Sequence, residues 1–406
     1  MQQEESYHMP RGILASAWLL GFVMFSPMYC VPPMAHILKE ELLLTYTQTG
    51  LLFSAPVIMV AALAIPAGII SDRIGVRKAT GIGVILIAVG ATLRGTADSA
   101  STLLMFTFIY GAGLGWCYPN LAKLVSGWVP PQRAGMAMGI ISTGMLAGCG
   151  LALAITMSVI FPITNTFQGV FFIWGIAPIA AAIVWWAVVK QPSHSGIHTQ
   201  SARTNNISFI SFRRTLRNKH IWLLSAILLL QNMFAYTWAG WTPTLLMFKG
   251  ATPEMAGLLT SVSLWVGIPT GLLMTRLAYR LGLRKPFLWI PAIVLAATAL
   301  GARTITLDMS WIIMVVVGIA GMTRYPTILA LPVEMVPKEQ VGAASGLVLS
   351  IGYVGGVIGP LIGGRILDIT GSLSLSLVVL AGTSIAIIGI VLMLPETGSA
   401  KKRLRE

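Results

Sequence analysis

Apolar residues run in stretches of about twenty along nearly the whole chain, separated by short polar breaks, as from Leu14 to Leu38 and from Leu375 to Leu394. A helix needs about 20 apolar residues to cross about 30 Å of hydrocarbon. Backbone groups in lipid must be satisfied within their own segment, so such runs predict helices rather than open strands. The pattern predicts twelve transmembrane helices, at residues 13–38, 49–70, 80–97, 102–125, 135–160, 167–189, 220–248, 255–276, 286–304, 310–334, 341–366 and 373–394. The fold class is therefore an all-α membrane protein. One long polar stretch interrupts it, giving an N-terminal six-helix bundle (1–189), a cytoplasmic linker (190–219) and a C-terminal six-helix bundle (220–406). The linker opens on Gln191-Pro-Ser-His-Ser-Gly196. Its second half alternates Phe209, Phe212 and Leu216 with Arg213, Arg214 and Arg217, which predicts a short interfacial amphipathic helix.

Composition agrees with this pattern. The chain is 56% hydrophobic and only 10% charged, against roughly a quarter charged in a soluble domain. Its 42 glycines suit close helix approach in lipid. Cys30, Cys117 and Cys149 lie inside apolar runs and read as packing residues, so neither a disulfide framework nor a metal site is expected. No cleavable signal peptide is evident at the N-terminus. The net charge of +14 is punctuated by the membrane spans, which argues for topology and against a nucleic-acid partner. With the N-terminus inside, 21 of the 27 basic residues fall on the cytoplasmic side, while Lys39, Arg94, Lys249, Arg303 and Arg365 fall outside. The positive-inside rule thus predicts a multi-pass cytoplasmic (inner) membrane protein with both termini in the cytoplasm.

The second half repeats the first at an offset of 207 residues. Arg73-Ile-Gly-Val-Arg-Lys78 matches Arg280-Leu-Gly-Leu-Arg-Lys285, Gly111 matches Gly318, and Tyr118-Pro119 matches Tyr325-Pro326. Val129-Pro130 matches Val336-Pro337, and Gly135 and Gly139 match Gly342 and Gly346. Parallel repeats of this kind are a transporter architecture with binding near the midplane. The segment Gly68-Ile-Ile-Ser-Asp72-Arg73-Ile-Gly75-Val-Arg77-Lys78 resembles the loop 2-3 signature of the major facilitator superfamily at every defined position. That resemblance implies alternating-access secondary transport, with Asp72 closing the cytoplasmic side against the start of helix 11 and nearby basic groups. Gly68, Asp72, Arg73, Gly75, Arg77 and Lys78 are the expected gating residues. In the second copy Tyr279 stands in place of Asp72, so the gate is asymmetric.

Two departures weigh against proton-driven drug efflux. Helix 4 lacks the Arg found in many proton-coupled members, having Met105-Phe-Thr-Phe108 before its glycines. Helix 5 lacks the Gly-Pro pair of drug antiporters, and Gly359-Pro360 occurs in helix 11 instead. The inner end of helix 4, from Tyr118 to Pro131, resembles that of anion porters of the superfamily: nitrate/nitrite, cyanate-transporter-like and organic anion symporter groups. Helix 2 carries no Arg within its span, which disfavours nitrate.

None of the 13 acidic residues falls near the midplane of a predicted span, and only one basic residue does: Arg324, between Thr323 and Tyr325-Pro326. An unneutralised charge there costs about 2.5 kcal/mol or more. Arg324 reads as the positive element of a central anion site, a planar donor for a carboxylate. A structural cation bound to carbonyls or Tyr hydroxyls is the alternative. Helix 7 gathers Gln231, Asn232, Tyr236, Thr237, Trp238 and Trp241 in its middle and outer half. From it and its neighbours the expected substrate-binding set is Arg324, Tyr325, Asn232, Tyr236, Trp238, Tyr29 and Tyr353. The function expected is transport of a small, monocarboxylate-like organic anion by a monomer, with a proton or another ion as possible coupling partner and no cofactor. The alternatives are proton-coupled efflux of hydrophobic drugs and a transporter-like ligand sensor. No nucleophile, base and metal constellation points to an enzyme.

Overall fold

The structure is a computed structural model and describes residues 11–129, 131–190, 213–337 and 340–397. Among these it contains no strand. We label the spanning helices α1 (Arg11–Tyr29), α2 (Tyr46–Ile74), α3 (Val76–Leu93), α4 (Ala100–Trp128), α5 (Pro131–Ile155) and α6 (Phe167–Val188). They continue as α7 (Lys219–Phe248), α8 (Pro253–Leu281), α9 (Pro286–Gly301), α10 (Ser310–Met335), α11 (Val341–Thr370) and α12 (Ser374–Met393). Eleven of these are long and apolar enough to cross a membrane, and α9 is a shorter apolar helix. The linker from 191 to 212, with Phe209 and Phe212 of the expected amphipathic helix, lies outside the described residues. The part that is described, residues 213–216, is helical.

Helix 1 is not one continuous rod. Pro27, Pro32 and Pro33 interrupt it: α1 ends at Tyr29, a 3-10 turn spans Pro32–Met34, and a separate helix runs Ala35–Glu41. Proline supplies no N–H to the helical ladder and its ring crowds the preceding turn, so successive prolines divide the run. A π-helical turn, Thr156–Ile160, likewise follows α5, and Thr156 Oγ1 there accepts from Trp174 Nε1 at 3.0 Å.

Packing divides the chain into two compact units. One comprises Met1–Leu43 and Ala55–Ser195; the other comprises Leu44–Ser54 and Gly196–Glu406. Helix α2 therefore starts in the second unit and ends in the first. Large side chains such as Ile65, Ile163, Leu273 and Met393 point outward, as expected where hydrocarbon is the solvent.

Inside each unit, glycine sets how closely helices approach. A Cβ on Gly148 would lie 2.3 Å from the Phe22 carbonyl oxygen, and one on Gly355 would lie 1.9 Å from that of Leu229. These contacts are the same pair at the 207-residue offset (148 to 355, 22 to 229). A second pair keeps the register, since Gly111 abuts Pro56 at 2.7 Å and Gly318 abuts Ser263 at 2.4 Å. The repeat seen in the loops is thus a repeat of helix packing, reaching back into α1 and α7.

Arg94, expected among the outer cations, is not a solvated surface charge. It is 1% exposed and donates from Nη1 to the Pro27 carbonyl at 2.5 Å. Its guanidinium lies 4.1 Å from the Phe171 ring centroid and 5.8 Å from that of Tyr110, whose hydroxyl in turn donates to the Met24 carbonyl. The planar, weakly hydrated guanidinium stacks on aromatic faces and ties α3 to the interrupted end of α1.

Candidate functional site

Helix α10 carries Arg324 between two apolar clusters of the second unit. On one side Phe234, Trp238, Val317 and Ala320 pack together. On the other, Ile227, Leu228, Ile328 and Leu331 do so. Between them Arg324 is 0% exposed. Its Nε donates to Gln231 Oε1 of α7, a residue itself 3% exposed. Nη1 and Nη2 are both buried and have no hydrogen-bond partner. A buried donor left unpaired is costly, and a charged one more so. The Gln231 bond takes the Nε side of the guanidinium and leaves the terminal Nη1–Nη2 edge free, the edge that can hold both oxygens of one carboxylate.

Other expected substrate residues occupy different places. Asn232 turns away from Arg324, its Nδ2 donating to the Gly352 carbonyl of α11 at 3.0 Å. Tyr236 lies on the same face of α7, against Gly356, with its ring 6.2 Å from that of Phe53. Trp238 stacks on Phe234 at 5.8 Å within an apolar cluster. Tyr325, next to Arg324, packs partly buried against the cluster of Ile227, Leu228, Ile328 and Leu331. Tyr353 is buried on α11, and Tyr29 is buried at the end of α1 in the other unit. Gln231 is thus the α7 residue that meets Arg324. In the sequence it is one of several polar residues of helix 7, and spacing alone does not distinguish it from them.

The expected gating loop is a single residue. Helix α2 ends at Ile74 and α3 begins at Val76, joined by Gly75 at φ 87° and ψ 148°, a conformation essentially reserved for glycine. Lys123 of α4 binds Asp72 Oδ1 at 2.5 Å and the Gly68 carbonyl at 2.7 Å, which makes it the basic partner of the loop within this unit. Arg77 donates to the Trp186 carbonyl at 2.9 Å and lies over the Trp186 ring. Arg73 and Lys78 are exposed.

In the repeated loop Tyr279 is 78% exposed, and the charges are arranged differently. Arg284 pairs with Glu334 through Nε and Nη2 at 2.9 and 2.7 Å. Glu396 accepts from the Arg284 and Lys285 backbone N–H groups at 2.8 and 3.0 Å, just ahead of α9. Gly282, the counterpart of Gly75, is left-handed at φ 66° and closes α8.

Comparison with known proteins places this architecture. The sequence model described as Major Facilitator Superfamily matches residues 17–251 and 248–406. A hexuronate transporter of Bacillus subtilis is 21% identical over 92% of both chains. A 2-nitroimidazole transporter of Escherichia coli is 25% identical over 85% of both. A cyanate transport protein of Escherichia coli is 22% identical over 87% of this chain and 89% of its own. Among solved structures, the D-xylose-proton symporter superposes with a TM-score of 0.79 at 14% identity, covering 95% of this chain and 98% of its own. With its two helical repeats and its complete α2–α3 signature, the chain belongs to the Major Facilitator Superfamily, as a multi-pass membrane transporter and not an enzyme.

Proposed function

We propose that this transporter moves a small organic monoanion, of the monocarboxylate kind, by alternating access, with Arg324 holding the anionic group. The observation that carries this reading is the state of Arg324: fully buried, hydrogen-bonded to a neutral carboxamide, with both terminal nitrogens unpaired. Arg324 takes part in neither the Lys123–Asp72 nor the Arg284–Glu334 ion pair. A carboxylate presented to the Nη1–Nη2 edge would satisfy the charge and both nitrogens together. Hexuronate and cyanate, named for two of the relatives, are also anions.

In this reading the two six-helix bundles rock as bodies around the site. Asp72, with Gly68, Arg73, Gly75, Arg77 and Lys78, closes the cytoplasmic end. The bias of basic residues toward the α2–α3 and α8–α9 loops favours both termini in the cytoplasm. The test is uptake into reconstituted vesicles over a panel of carboxylates, sulfonates and inorganic anions, with and without a pH gradient. The parent should select one anion class, and Arg324→Ala and Arg324→Lys should both lose it. Normal transport of the preferred anion by both variants would overturn the reading.

The relative named for 2-nitroimidazole favours a second reading, transport of heteroaromatic compounds held by stacking and not by charge. It separates cleanly from the first, because Arg324→Ala would then leave transport intact.

A further inference from the structure

The first turn of α2 has an accountable set of backbone donors. Thr45 caps it reciprocally with Gln48: Thr45 Oγ1 accepts from the Gln48 N–H at 3.1 Å, and Gln48 Oε1 accepts from the Thr45 N–H at 2.9 Å. Such a box satisfies two of the donors that a helix start exposes. The Thr49 N–H already makes the first intrahelical bond, to the Thr45 carbonyl. Two donors remain, on Tyr46 and Thr47. Both go to one carboxylate from another helix: Tyr46 N–H to Asp368 Oδ1 at 2.8 Å, and Thr47 N–H to Asp368 Oδ2 at 2.9 Å. The Thr47 hydroxyl adds a third bond to Oδ2 at 2.6 Å. The carboxylate also lies at the positive end of the α2 dipole, where a negative charge is favoured.

Below this cap the chains are in backbone contact. A Cβ on Gly50 would lie 2.6 Å from the Pro360 carbonyl oxygen, and one on Gly364 would lie 2.4 Å from that of Tyr46. Trp241 Nε1 donates to the Pro360 carbonyl at 2.9 Å, and Ser54 Oγ reaches the Val357 carbonyl at 3.2 Å. Tyr46 closes over Trp241, Leu367 and Leu373 as an apolar seal. These contacts bring Leu44–Ser54 into the second unit, although the rest of α2 belongs to the first.

We propose that Asp368 is a latch. It holds the start of α2 against α7 and α11 at the end of the molecule away from the basic Gly68–Lys78 loop, and it must release for that end to open. A body that rocks while keeping these three bonds would have to drag α2 out of its own unit, so the bonds break once per cycle. The second copy is built differently. At the 207-residue offset, Tyr46 corresponds to Pro253, which has no N–H to satisfy, and α8 is capped by its own Thr252. The residue corresponding to Asp368 is Phe161. The inference rests on the superfamily's alternating access and not on the role of Arg324.

The test needs no substrate. Ser54 is 0% exposed, and Cys30, Cys117 and Cys149 are buried, so Ser54→Cys in the full-length protein reports opening by its reaction with a membrane-impermeant maleimide added from outside. The chain without the added cysteine supplies the baseline. Asp368→Asn, which removes the charge and one acceptor oxygen, should raise the initial labelling rate about tenfold. Thr47→Val, which removes only the hydroxyl bond, should raise it by a smaller factor. If Asp368→Asn does not yield a monodisperse protein, Thr47→Val carries the test alone. Labelling at the parental rate in every folded variant would overturn the latch.

Discussion

Gln231→Glu tests the substrate site more sharply than removal of Arg324, because it keeps the guanidinium in place and changes only the charge beside it. Gln231 Oε1 accepts from Arg324 Nε while Nη1 and Nη2 stay unpaired, so the site carries one positive charge with no counterion from its hydrogen-bonding partner. A glutamate would put a carboxylate on the Nε side. A substrate carboxylate on the opposite edge would then lie about 6 Å from it. At an effective dielectric of about 20, two like charges at that distance repel by about 3 kcal/mol, roughly a hundredfold in affinity. Anion affinity, read from the concentration dependence of uptake or from ligand-induced thermal stabilisation, should fall by about that factor. Gln231→Met, which removes the acceptor without adding charge, should cost much less. If Gln231→Glu binds the preferred anion as tightly as the parent, the free edge of Arg324 does not hold the anion. Equal losses in the two variants would show that Gln231 acts by packing.

Three further outcomes follow from the packing. Gly355→Ala places a methyl group 1.9 Å from the Leu229 carbonyl and should destabilise the protein by about 1–3 kcal/mol in detergent unfolding, whereas Gly346→Ala, with open space around it, should unfold like the parent. In a double-mutant cycle of Asp72→Asn and Lys123→Met, the coupling energy should be at most about 1 kcal/mol, because both side chains are partly exposed; a much larger value would mean the pair is shielded from solvent. Arg94→Lys should lower the unfolding temperature nearly as much as Arg94→Ala, since an ammonium cannot lie flat on Phe171 while bonding the Pro27 carbonyl; retention of parental stability by the lysine variant would refute that reading.

The spans and the repeat were legible because each depends on spacing along the chain, and the packing of Gly148 and Gly355 follows the same 207-residue register. The turn between α2 and α3 was legible too, since two helices joined by one residue at φ 87° require glycine at position 75. Partners were harder to read, and α7 shows why. Gln231, Phe234 and Trp238 share one face at helical spacing, and Asn232 and Tyr236 share the next. The sequence displays both faces without saying which one meets α10. That choice is made by α11, whose Gly352, Gly355, Gly356, Gly359 and Gly363 allow its backbone close to α7 on the Asn232 and Tyr236 side. With that face occupied by α11, Gln231 is left to meet Arg324. The same limit applies at the helix ends. Arg94 and Asp368 look alike in sequence, each a charge near the end of an apolar run. One finds a carbonyl 67 residues away and a pair of rings, the other the start of a helix 321 to 322 residues away. Charge told where along a span each residue sits; for Asp368 the helix it faces is the one that Gly50 and Gly364 bring into backbone contact, and for Gln231 it is the one that the glycines of α11 leave open.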